Sequence, residues 1–307
     1  MRVLVTGASG FIGRWTLAPL QELGFEVHAT GRHLPNKPHN HNVSAFHPAD
    51  LLDPAQLRSL VAAVRPTHIL HCAWEVTHGR FWTAPENLDW VAATLELARA
   101  FAAQGGRRFV GIGTCAEYDW SDGGAAARRE SDTLRPATLY GEAKAATAAI
   151  LQSYFAGEGI GFAWARLFHL FGPAEAPQRL VSSVARALLA GQRAECGSGH
   201  FVRDFMPVEM LGAALAKLVH SQVEGPVNVA SGRGVSVEEI AKTLAALAQR
   251  PELIALGVRP DAPDAPRAML ADTTRLRDEI GFAASYDLKA ALAAALDYWR
   301  TQGVTAA

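Results

Sequence analysis

Two side chains four residues apart, Tyr140 and Lys144, form a pair well suited to proton transfer in this chain of 307 residues. They lie in a run that favours a helix, so both side chains are expected on one face. An ammonium group beside a phenol favours the phenolate and lowers the phenol pKa from about 10. We therefore expect Tyr140 to exchange a proton with the oxygen of an alcohol or ketone substrate near neutral pH. The Thr114 hydroxyl is expected to form a hydrogen bond with the same substrate oxygen. The alternative is that this spacing arises by chance, from a tyrosine and a lysine that simply lie on the surface of a helix.

A glycine-rich turn near the start of the chain has the form of a phosphate-binding loop. Its glycines follow a strand-like run at 3–6 and precede a helix pattern. Glycine permits positive φ and a close approach of the backbone to a pyrophosphate, which the free N–H groups of a helix N-terminus bind. An ordinary tight turn has the same pattern, but the position after the first strand favours a dinucleotide site. The predicted cofactor contacts here are Gly7, Gly10, Phe11, Ile12 and Gly13.

The segment after the second strand indicates which dinucleotide is bound. Arg32 follows the strand-like run 26–30, Lys37 is close behind, and no carboxylate is nearby. An acidic residue at this place suits the ribose 2′-OH of NAD, whereas a guanidinium suits the 2′-phosphate of NADP. We therefore expect NADP(H) rather than NAD, unless Arg32 is a solvated loop cation. Further along, Asp50 and Leu51 either contact the adenine or, in the case of Asp50, cap the next helix.

Strand-like and helix-like segments alternate through the first half of the chain. The strand-like segments are 3–6, 26–30, 68–72, 109–113 and 161–167, and the helix-like segments are 11–23, 54–64, 87–104 and 140–158. Apolar strands separated by helices predict an α/β fold with a doubly wound parallel sheet that binds ligands at the carboxyl ends of its strands. In the second half we predict helices at 180–190 and 237–247, a strand at 227–229 and an extended loop at 251–268. The predicted dinucleotide-binding domain comprises 1–166 and 204–230, and the predicted smaller α/β substrate-binding lobe comprises 167–203 and 231–307.

Composition and charge exclude several classes of protein. A formal net charge of −1 gives no reason to expect a nucleic acid or a membrane surface as partner. No apolar run reaches the ~18–20 residues that span a bilayer, and the chain begins on a strand pattern, so we expect neither a membrane span nor a signal peptide. Cysteines at unrelated spacings are typical of free thiols in a reducing cytoplasm; they are Cys72, Cys115 and Cys196. A solvated Pro- and Asn-rich loop is expected instead of a metal site around His39, His41 and His47.

Taken together, these motifs resemble the extended short-chain dehydrogenase/reductases, which mostly act on nucleotide-activated sugars. The resemblance covers essentially the whole chain and is carried by 6–13, His71-Cys-Ala-Trp74, Asn87, Thr114, Tyr140, Lys144, Arg166-Leu-Phe-His-Leu-Phe-Gly-Pro173, Arg203-Asp204-Phe205 and Asn228-Val-Ala-Ser-Gly232. It implies that Lys144 reaches the nicotinamide ribose and that Ala73 and Asn87 also lie at the cofactor. It further implies a homodimer formed through the helices at 87–104 and 140–158.

Departures from the family pattern narrow the reaction. The family's 4,6-dehydratases have an Asp-Glu pair directly after the Ser/Thr, and here those positions are Cys115 and Ala116, so dehydration is not expected. The epimerase-reductases that make fucose-type sugars have a Cys two residues after the Ser and a His in the substrate lobe. Here the Cys position is Ala116 and no His lies around Gln178, so 3,5-epimerisation is not expected either. Simple 4-epimerases usually retain NAD and have an acidic residue where Arg32 stands.

By elimination, the resemblance implies an NADP(H)-dependent reductase of the C4 keto group of a nucleotide-linked 4-keto-6-deoxy sugar, with Tyr140 as proton donor. Two alternatives stay open. One is a nucleotide-sugar epimerase that retains its NAD(P). The other is a non-catalytic NADP-binding regulator, although Tyr140 and Lys144 are both present.

Candidate contacts for a nucleotide diphosphate sugar lie in the second half of the chain. Arg179 and Arg203 occupy segments in which family members bind the substrate pyrophosphate, and the guanidinium fork suits phosphate. His169 stands where the family commonly has an Asn that contacts the phosphates. We expect these three side chains to hold the diphosphate.

Three further residues are candidate substrate contacts in the first half. Trp74 opens an aromatic-rich loop that either shapes a sugar pocket or packs against the smaller lobe. Glu117 either orients a sugar hydroxyl or, the interpretation slightly favoured, forms an ion pair with a basic residue of the substrate lobe. Cys115 is expected to be a small packing residue rather than a reactive thiol.

Overall fold

The main element of the fold is a parallel sheet. The computed structural model describes residues 1–32 and 43–304. Within these ranges, seven strands form one sheet in which all pairs are parallel. In spatial order they are β10 (Gly225–Val229), β6 (Gly161–Leu167), β5 (Arg108–Thr114), β4 (His68–His71), β1 (Arg2–Thr6), β2 (Glu26–Gly31) and β3 (Ala45–Pro48). The strand order reverses between β1 and β4, where doubly wound sheets bind ligands, and the predicted fold class is confirmed.

Helices cover both faces of this sheet. One face packs against α1 (Gly13–Glu22), α6 (Val208–His220) and α8 (Thr274–Asp278), and the other against α2 (Pro54–Val64), α3 (Glu86–Ala103) and α4 (Leu139–Glu158). Because both faces are covered, β4 and β5 are buried along their whole length. The carboxyl ends of these strands are left to carry the functional side chains.

A second, smaller core is built from the later part of the chain. Its sheet contains β7 (His169–Phe171), β9 (Val202–Pro207), β11 (Gly234–Ser236) and β13 (Ala268–Met269), and a separate pair is β8 (Ala194–Glu195) with β12 (Ile254–Ala255). Its helices are α5 (Leu180–Leu189), α7 (Val237–Ala248) and α9 (Leu288–Thr301). The predicted domain boundary at 203/204 falls inside β9, and the division into two domains stays a prediction.

Several elements were not predicted from the sequence. The helix α6 begins at Val208 directly after β9, and its N-cap, Pro207, offers no capping side chain. Its start therefore lacks the usual sequence signal. The helix α9 does have that signal, since the Asp287 carboxylate accepts from the N–H of Ala290 at 2.8 Å. The segment predicted as an extended loop at 251–268 contains a 3-10 turn, Pro251–Leu253, and the strand β12.

The histidine prediction needs one correction. His47 lies in β3 rather than in a loop, and its ring stacks on His28 of β2 at 5.1 Å. His39, His41 and Lys37 lie outside the described residues. In the part of the chain that the structure describes, no group of three or more metal-ligating side chains is found, and no helix is long and apolar enough to cross a membrane. Location in the cytoplasm stays a prediction.

Candidate active site

Three predicted catalytic side chains meet at the carboxyl end of the sheet. Thr114 is the last residue of β5, while Tyr140 and Lys144 lie in the first two turns of α4. Thr138 caps this helix, since its side-chain oxygen accepts from the N–H of Gly141 at 3.2 Å. All three catalytic candidates are buried, with Tyr140 and Thr114 each 9% exposed and Lys144 3% exposed.

The ionisation of Tyr140 differs from the prediction. Burial raises the pKa of Tyr140 above its usual value, and the nearby Thr114 hydroxyl opposes this rise only in part. The ammonium of Lys144 lies 6.0 Å from the Tyr140 ring centre and donates a hydrogen bond to the carbonyl of Ile112 at 2.8 Å. The prediction that Lys144 lowers the Tyr140 pKa is therefore wrong for this arrangement. The hydroxyl of Tyr140 is protonated at neutral pH.

Lys144 is the group whose charge is most sensitive to its surroundings. Burial lowers the pKa of Lys144 from 10.5 to about 7, while the carboxylate of Glu117 and the thiol of Cys72 act in the opposite direction. The Trp74 ring centre lies 3.7 Å from the ammonium. A lysine with this pKa changes its charge in the physiological range.

Aromatic side chains form one wall beside Tyr140. The rings of Phe81 and Trp82 meet the Tyr140 ring edge to face at 4.9 Å and 5.8 Å. The carbonyl of Trp82 also accepts from the N–H of Tyr140 at 3.1 Å. Trp82 is partly exposed, so this wall is open to a bound molecule.

The glycine turn between β1 and α1 has the shape that its sequence predicts. Gly7 has a φ of +62°, and a Cβ there would lie 2.8 Å from the backbone nitrogen of Ala73. A Cβ on Gly13 would lie 2.4 Å from the carbonyl oxygen of Gly7. Gly10 is at the exposed tip, and Ile12, the N-cap of α1 next to Phe11, makes no side-chain capping bond. This open helix terminus fits the pyrophosphate of a dinucleotide.

The residues after β2 and β3 lie at the same edge of the sheet. Arg32 is exposed directly after β2. The carboxylate of Asp50 accepts from the N–H of Leu52 at 3.0 Å, and Leu51 is buried. The cap of α2 is Asp53, which accepts from the N–H groups of Ala55 and Gln56. The alternative that Asp50 caps this helix is therefore wrong.

Ala73 lies next to the glycine turn, and Asn87 holds the loop that follows β4. The N–H of Ala73 donates to the Thr6 hydroxyl at 3.2 Å. The Asn87 side chain accepts from Nε1 of Trp74 and donates to the carbonyls of Phe81 and Ala84, each at 2.8 Å. These bonds use its amide within the protein, so Asn87 fixes the loop that carries Trp74, whatever else it contacts.

The structure corrects the candidate substrate contact at Glu117. This carboxylate is fully buried and pairs with Arg166 of β6, with 2.8 Å between Oε2 and Nε. Its other oxygen accepts from the N–H of Thr114 at 2.8 Å and from Nε1 of Trp164 at 2.9 Å. Glu117 therefore joins β5 to β6 and does not face a sugar. Its partner lies in the predicted dinucleotide-binding domain rather than in the substrate lobe.

Cys115 belongs to an apolar cluster beside the site. It is buried with Tyr118, Phe168 and Ala271. Burial raises the pKa of its thiol to about 12, so it is protonated at neutral pH. This environment suits a packing residue.

The predicted diphosphate contacts come together across the smaller sheet. His169 lies in β7, Arg203 in the adjacent strand β9, and Arg179 is the N-cap of α5. Burial, reinforced by the charges of Arg203 and Arg179, lowers the His169 pKa to about 3, which keeps the ring neutral. Its Nδ1 is buried and has no hydrogen-bond partner among the described residues. Both guanidinium groups thus lie near this unpaired ring nitrogen, while Nη1 of Arg203 also donates to the carbonyls of Val202 and Arg267 at 2.9 Å and 3.3 Å. Diphosphate binding by these three side chains stays a prediction.

Two contacts connect this region to Tyr140. The guanidinium of Arg179 lies 5.9 Å from the Phe81 ring centre, and that ring packs on Tyr140. The charge of Arg179 also lowers the Tyr140 pKa slightly. Phe81 belongs to the aromatic-rich loop after β4, for which packing against the smaller lobe was one of the two predicted roles, and its contact with Arg179 is of that kind.

Fold and site together define a class: a Rossmann-like protein with the Tyr, Lys and Thr groups of a dinucleotide-dependent oxidoreductase. The model of the NAD dependent epimerase/dehydratase family matches residues 3–230. The chain belongs to this family, and the predicted membership is confirmed.

Curated relatives cover nearly the full length of the chain. A dTDP-6-deoxy-L-talose 4-dehydrogenase (NAD(P)(+)) from Kitasatospora kifunensis is 30% identical over 307 residues, which cover 95% of this chain and 93% of the relative. A UDP-glucose 4-epimerase from Mycolicibacterium smegmatis is 26% identical over 322 residues, covering 98% and 99%. Among solved structures, MoeE5 in complex with UDP-glucuronic acid and NAD is 28% identical, with a TM-score of 0.85 and coverage of 98% and 100%. The chain is thus similar to proteins that act on or bind nucleotide sugars.

Proposed function

We propose that this protein reduces the C4 keto group of a nucleotide-linked 4-keto-6-deoxy sugar with NADPH. The observation that carries the proposal is the buried, protonated Tyr140 beside Thr114. A ketone needs a proton donor as it is reduced, and a tyrosine with a raised pKa is in the donor form before the substrate binds. Thr114 is placed to hold the same oxygen.

The proposed reaction uses these groups as follows. Bound NADPH would supply the hydride that forms the new C–H bond at C4. The Tyr140 hydroxyl donates its proton to the C4 oxygen, so that the ketone becomes an alcohol and the phenolate regains a proton from solvent. Lys144, one turn away on α4, would hold the ribose of the bound cofactor beside Tyr140.

Neighbouring residues argue against dehydration. The positions directly after Thr114 are Cys115 and Ala116, which supply no carboxylate. The nearest one, Glu117, is held by Arg166 and Trp164. Elimination of water from the sugar needs an acid and a base at adjacent carbons, and Tyr140 alone does not provide both.

The cofactor preference rests on Arg32. Its exposed guanidinium follows β2, where a 2′-phosphate would lie. The Kitasatospora relative is named for both NAD and NADP, and a 4-dehydrogenase run in reverse is a 4-ketoreductase. The position of Arg32 supports NADP(H), the name of the Kitasatospora relative favours neither cofactor, and the NAD complex of MoeE5 favours NAD.

A second candidate function is 4-epimerisation of a nucleotide sugar with retained cofactor. The Mycolicibacterium relative and the NAD bound to MoeE5 favour it. An epimerase uses the same Tyr140 and Thr114, first to remove and then to return the proton. The two reactions therefore differ in cofactor turnover rather than in catalytic groups.

One experiment separates these candidates. The purified full chain is mixed with NADPH and with 4-keto-6-deoxy sugars linked to dTDP, CDP, GDP or UDP, and NADPH absorbance and product NMR are followed. Ketoreduction predicts one NADPH consumed for each C4 alcohol formed. If no NADPH is oxidised with any of them, the reductase proposal is wrong. Interconversion of C4 epimers of UDP-hexoses without net NADPH loss, by protein that carries NAD, would establish the epimerase.

We also propose that two chains associate through α3 and α4. These helices pack side by side, and their outer faces carry exposed apolar side chains, Leu88 at 60% and Ile150 at 49%. Exposed apolar residues on adjoining helices favour burial against a second copy. The family resemblance supports the same pair of helices.

A further inference from the structure

The ammonium of Lys144 rests on an aromatic ring that the proposed reaction does not use. Its Nζ lies 3.7 Å from the ring centre of Trp74, well inside the roughly 6 Å limit of a cation–π contact. The same nitrogen donates to the Ile112 carbonyl at 2.8 Å. Both side chains are buried, so water screens this attraction little.

Two contacts that do not involve Lys144 hold the Trp74 ring in place. Its Nε1 donates to Oδ1 of Asn87 at 2.8 Å. Its face stacks on Trp90 of α3 with 6.3 Å between ring centres and 27° between planes. A hydrogen-bonded indole N–H leaves more electron density on the ring, which strengthens the attraction for a cation.

One carboxylate near Lys144 also opposes the fall of its pKa: Glu117, although it is paired with Arg166. Cys72 is a partly buried thiol whose pKa is raised to about 12. His71 has a pKa of about 3 and is neutral. Tyr140 is protonated because burial raises its pKa. The Trp74 face therefore opposes the loss of charge together with the Glu117 carboxylate, and it is much nearer to Nζ than the Trp164 ring, whose centre is 5.7 Å away.

We propose that Trp74 is a positioning residue that keeps Lys144 charged and aimed beside Tyr140 for the incoming cofactor. This inference rests on the proposed catalytic role of Lys144. It concerns a residue that was expected either to shape a sugar pocket or to pack against the smaller lobe. Trp74 acts through Lys144 and does not itself touch the reacting atoms.

The test measures the Lys144 charge directly in the full chain without cofactor. The sequence contains five lysines, so lysine labelled with ¹³C at Cε gives few NMR signals, and Lys144→Met identifies the one from Lys144. Tryptophan with one, two or three ring fluorines is placed at position 74, which weakens the ring's attraction while nearly keeping its shape. The expected result is a stepwise fall of the Lys144 pKa, by about one unit over the series.

The same series at Trp90 is the matched control. Trp90 packs against Trp74 but makes no cation–π contact with Lys144 in the described structure. Fluorination there is expected to leave the Lys144 pKa unchanged. A pKa that stays constant along the series at position 74, or that falls equally with both series, would overturn the proposal.

A second measurement connects the charge to cofactor binding. If protonated Lys144 holds the ribose, the NADPH dissociation constant rises with pH through the Lys144 pKa. The fluorine series at position 74 should then move this rise to lower pH by the same amount as the NMR titration. A midpoint that does not move would contradict the positioning role. Because neither readout needs a sugar substrate, failure of ketoreduction leaves this test intact.

Discussion

The Tyr140 hydroxyl is buried and has Thr114 as a direct neighbour. The spacing of Tyr140 and Lys144 in the sequence does not reveal the burial. We expect Tyr140→Phe to lower kcat by about 10²–10⁴-fold, because it removes the proton donor and little volume. NADPH affinity should change only a few-fold. Stopped assays of NADPH oxidation and fluorescence titration measure the two effects.

The control for this variant is Tyr154→Phe on the same helix. Tyr154 lies further along α4 and packs on Phe155, away from Thr114. Its substitution should leave turnover unchanged. A Tyr140→Phe enzyme with unchanged kcat would show that the proton comes from another group.

The ionisation of Lys144 predicts how the catalytic rate depends on pH. Its pKa of about 7 in the cofactor-free protein means that the ammonium is present below this pH and lost above it. Because kcat/KM reports the free enzyme, we expect it to fall as pH rises through about 7. In Lys144→Arg the fall of kcat/KM should move to higher pH, because arginine stays protonated. The larger guanidinium group is expected to lower the rate at every pH.

A rate measured from pH 5.5 to 9 with each variant decides the assignment. The fall of kcat/KM should be absent from the residual activity of Lys144→Met, which has no ionisable group at this position. If kcat/KM falls at the same pH in the wild type and both variants, the titrating group is not Lys144. His71 and His169 are poor candidates, because their pKa values of about 3 lie below this range.

At the scale of elements, the turn between β1 and α1 depends on the absence of side chains. We expect Gly7→Ala to weaken NADPH binding at least tenfold and to cost about 1–3 kcal/mol of stability, because the new Cβ meets the backbone of Ala73 in addition to the strain at φ +62°. Gly24→Ala is the matched control, with φ +81° and open space around the Cβ. It should cost stability alone, so equal NADPH binding by both variants would refute the phosphate-turn assignment.

Glu117 holds the ends of β5 and β6 together. Glu117→Gln leaves the Arg166 charge buried without its partner, and we expect it to destabilise the fold by about 3–5 kcal/mol. Denaturant unfolding measures this loss. Glu96→Gln, which breaks the solvent-accessible pairs with Arg58 and Arg99, should cost less than about 1 kcal/mol. Similar losses in the two variants would mean that the buried pair contributes no more than an exposed one.

The glycine turn and the Glu117 ion pair also show what sequence patterns can and cannot predict. The glycine turn and the strand–helix alternation follow from local backbone rules, so their positions could be predicted closely. The roles of Glu117 and Trp74 depend on contacts with Arg166 and Lys144, which are distant in sequence. A carboxylate near a catalytic threonine looks the same in sequence whether it faces a sugar or an arginine, and only packing distinguishes the two.

At the scale of the whole molecule, the site lies where two separately packed cores meet. Thr114 and Tyr140 come from the large sheet and its helix α4, whereas His169 and Arg203 come from the smaller sheet. Phe81 and Arg179 bridge the two groups. A nucleotide sugar bound by both would therefore place its sugar at Tyr140 and its diphosphate at the arginines.

The paired helices α3 and α4 cover the face of the large sheet opposite to the one that packs against α1 and α6. We expect Leu88→Arg combined with Ile150→Arg to convert a dimer into a monomer, because two charges at the contact cannot be buried unpaired. Sedimentation velocity of the wild type and the variant measures this change. Val258→Arg replaces a similarly exposed apolar residue of the smaller lobe and should leave the mass unchanged. A wild type that sediments as a monomer, or a double variant that stays a dimer, would place any association on another surface.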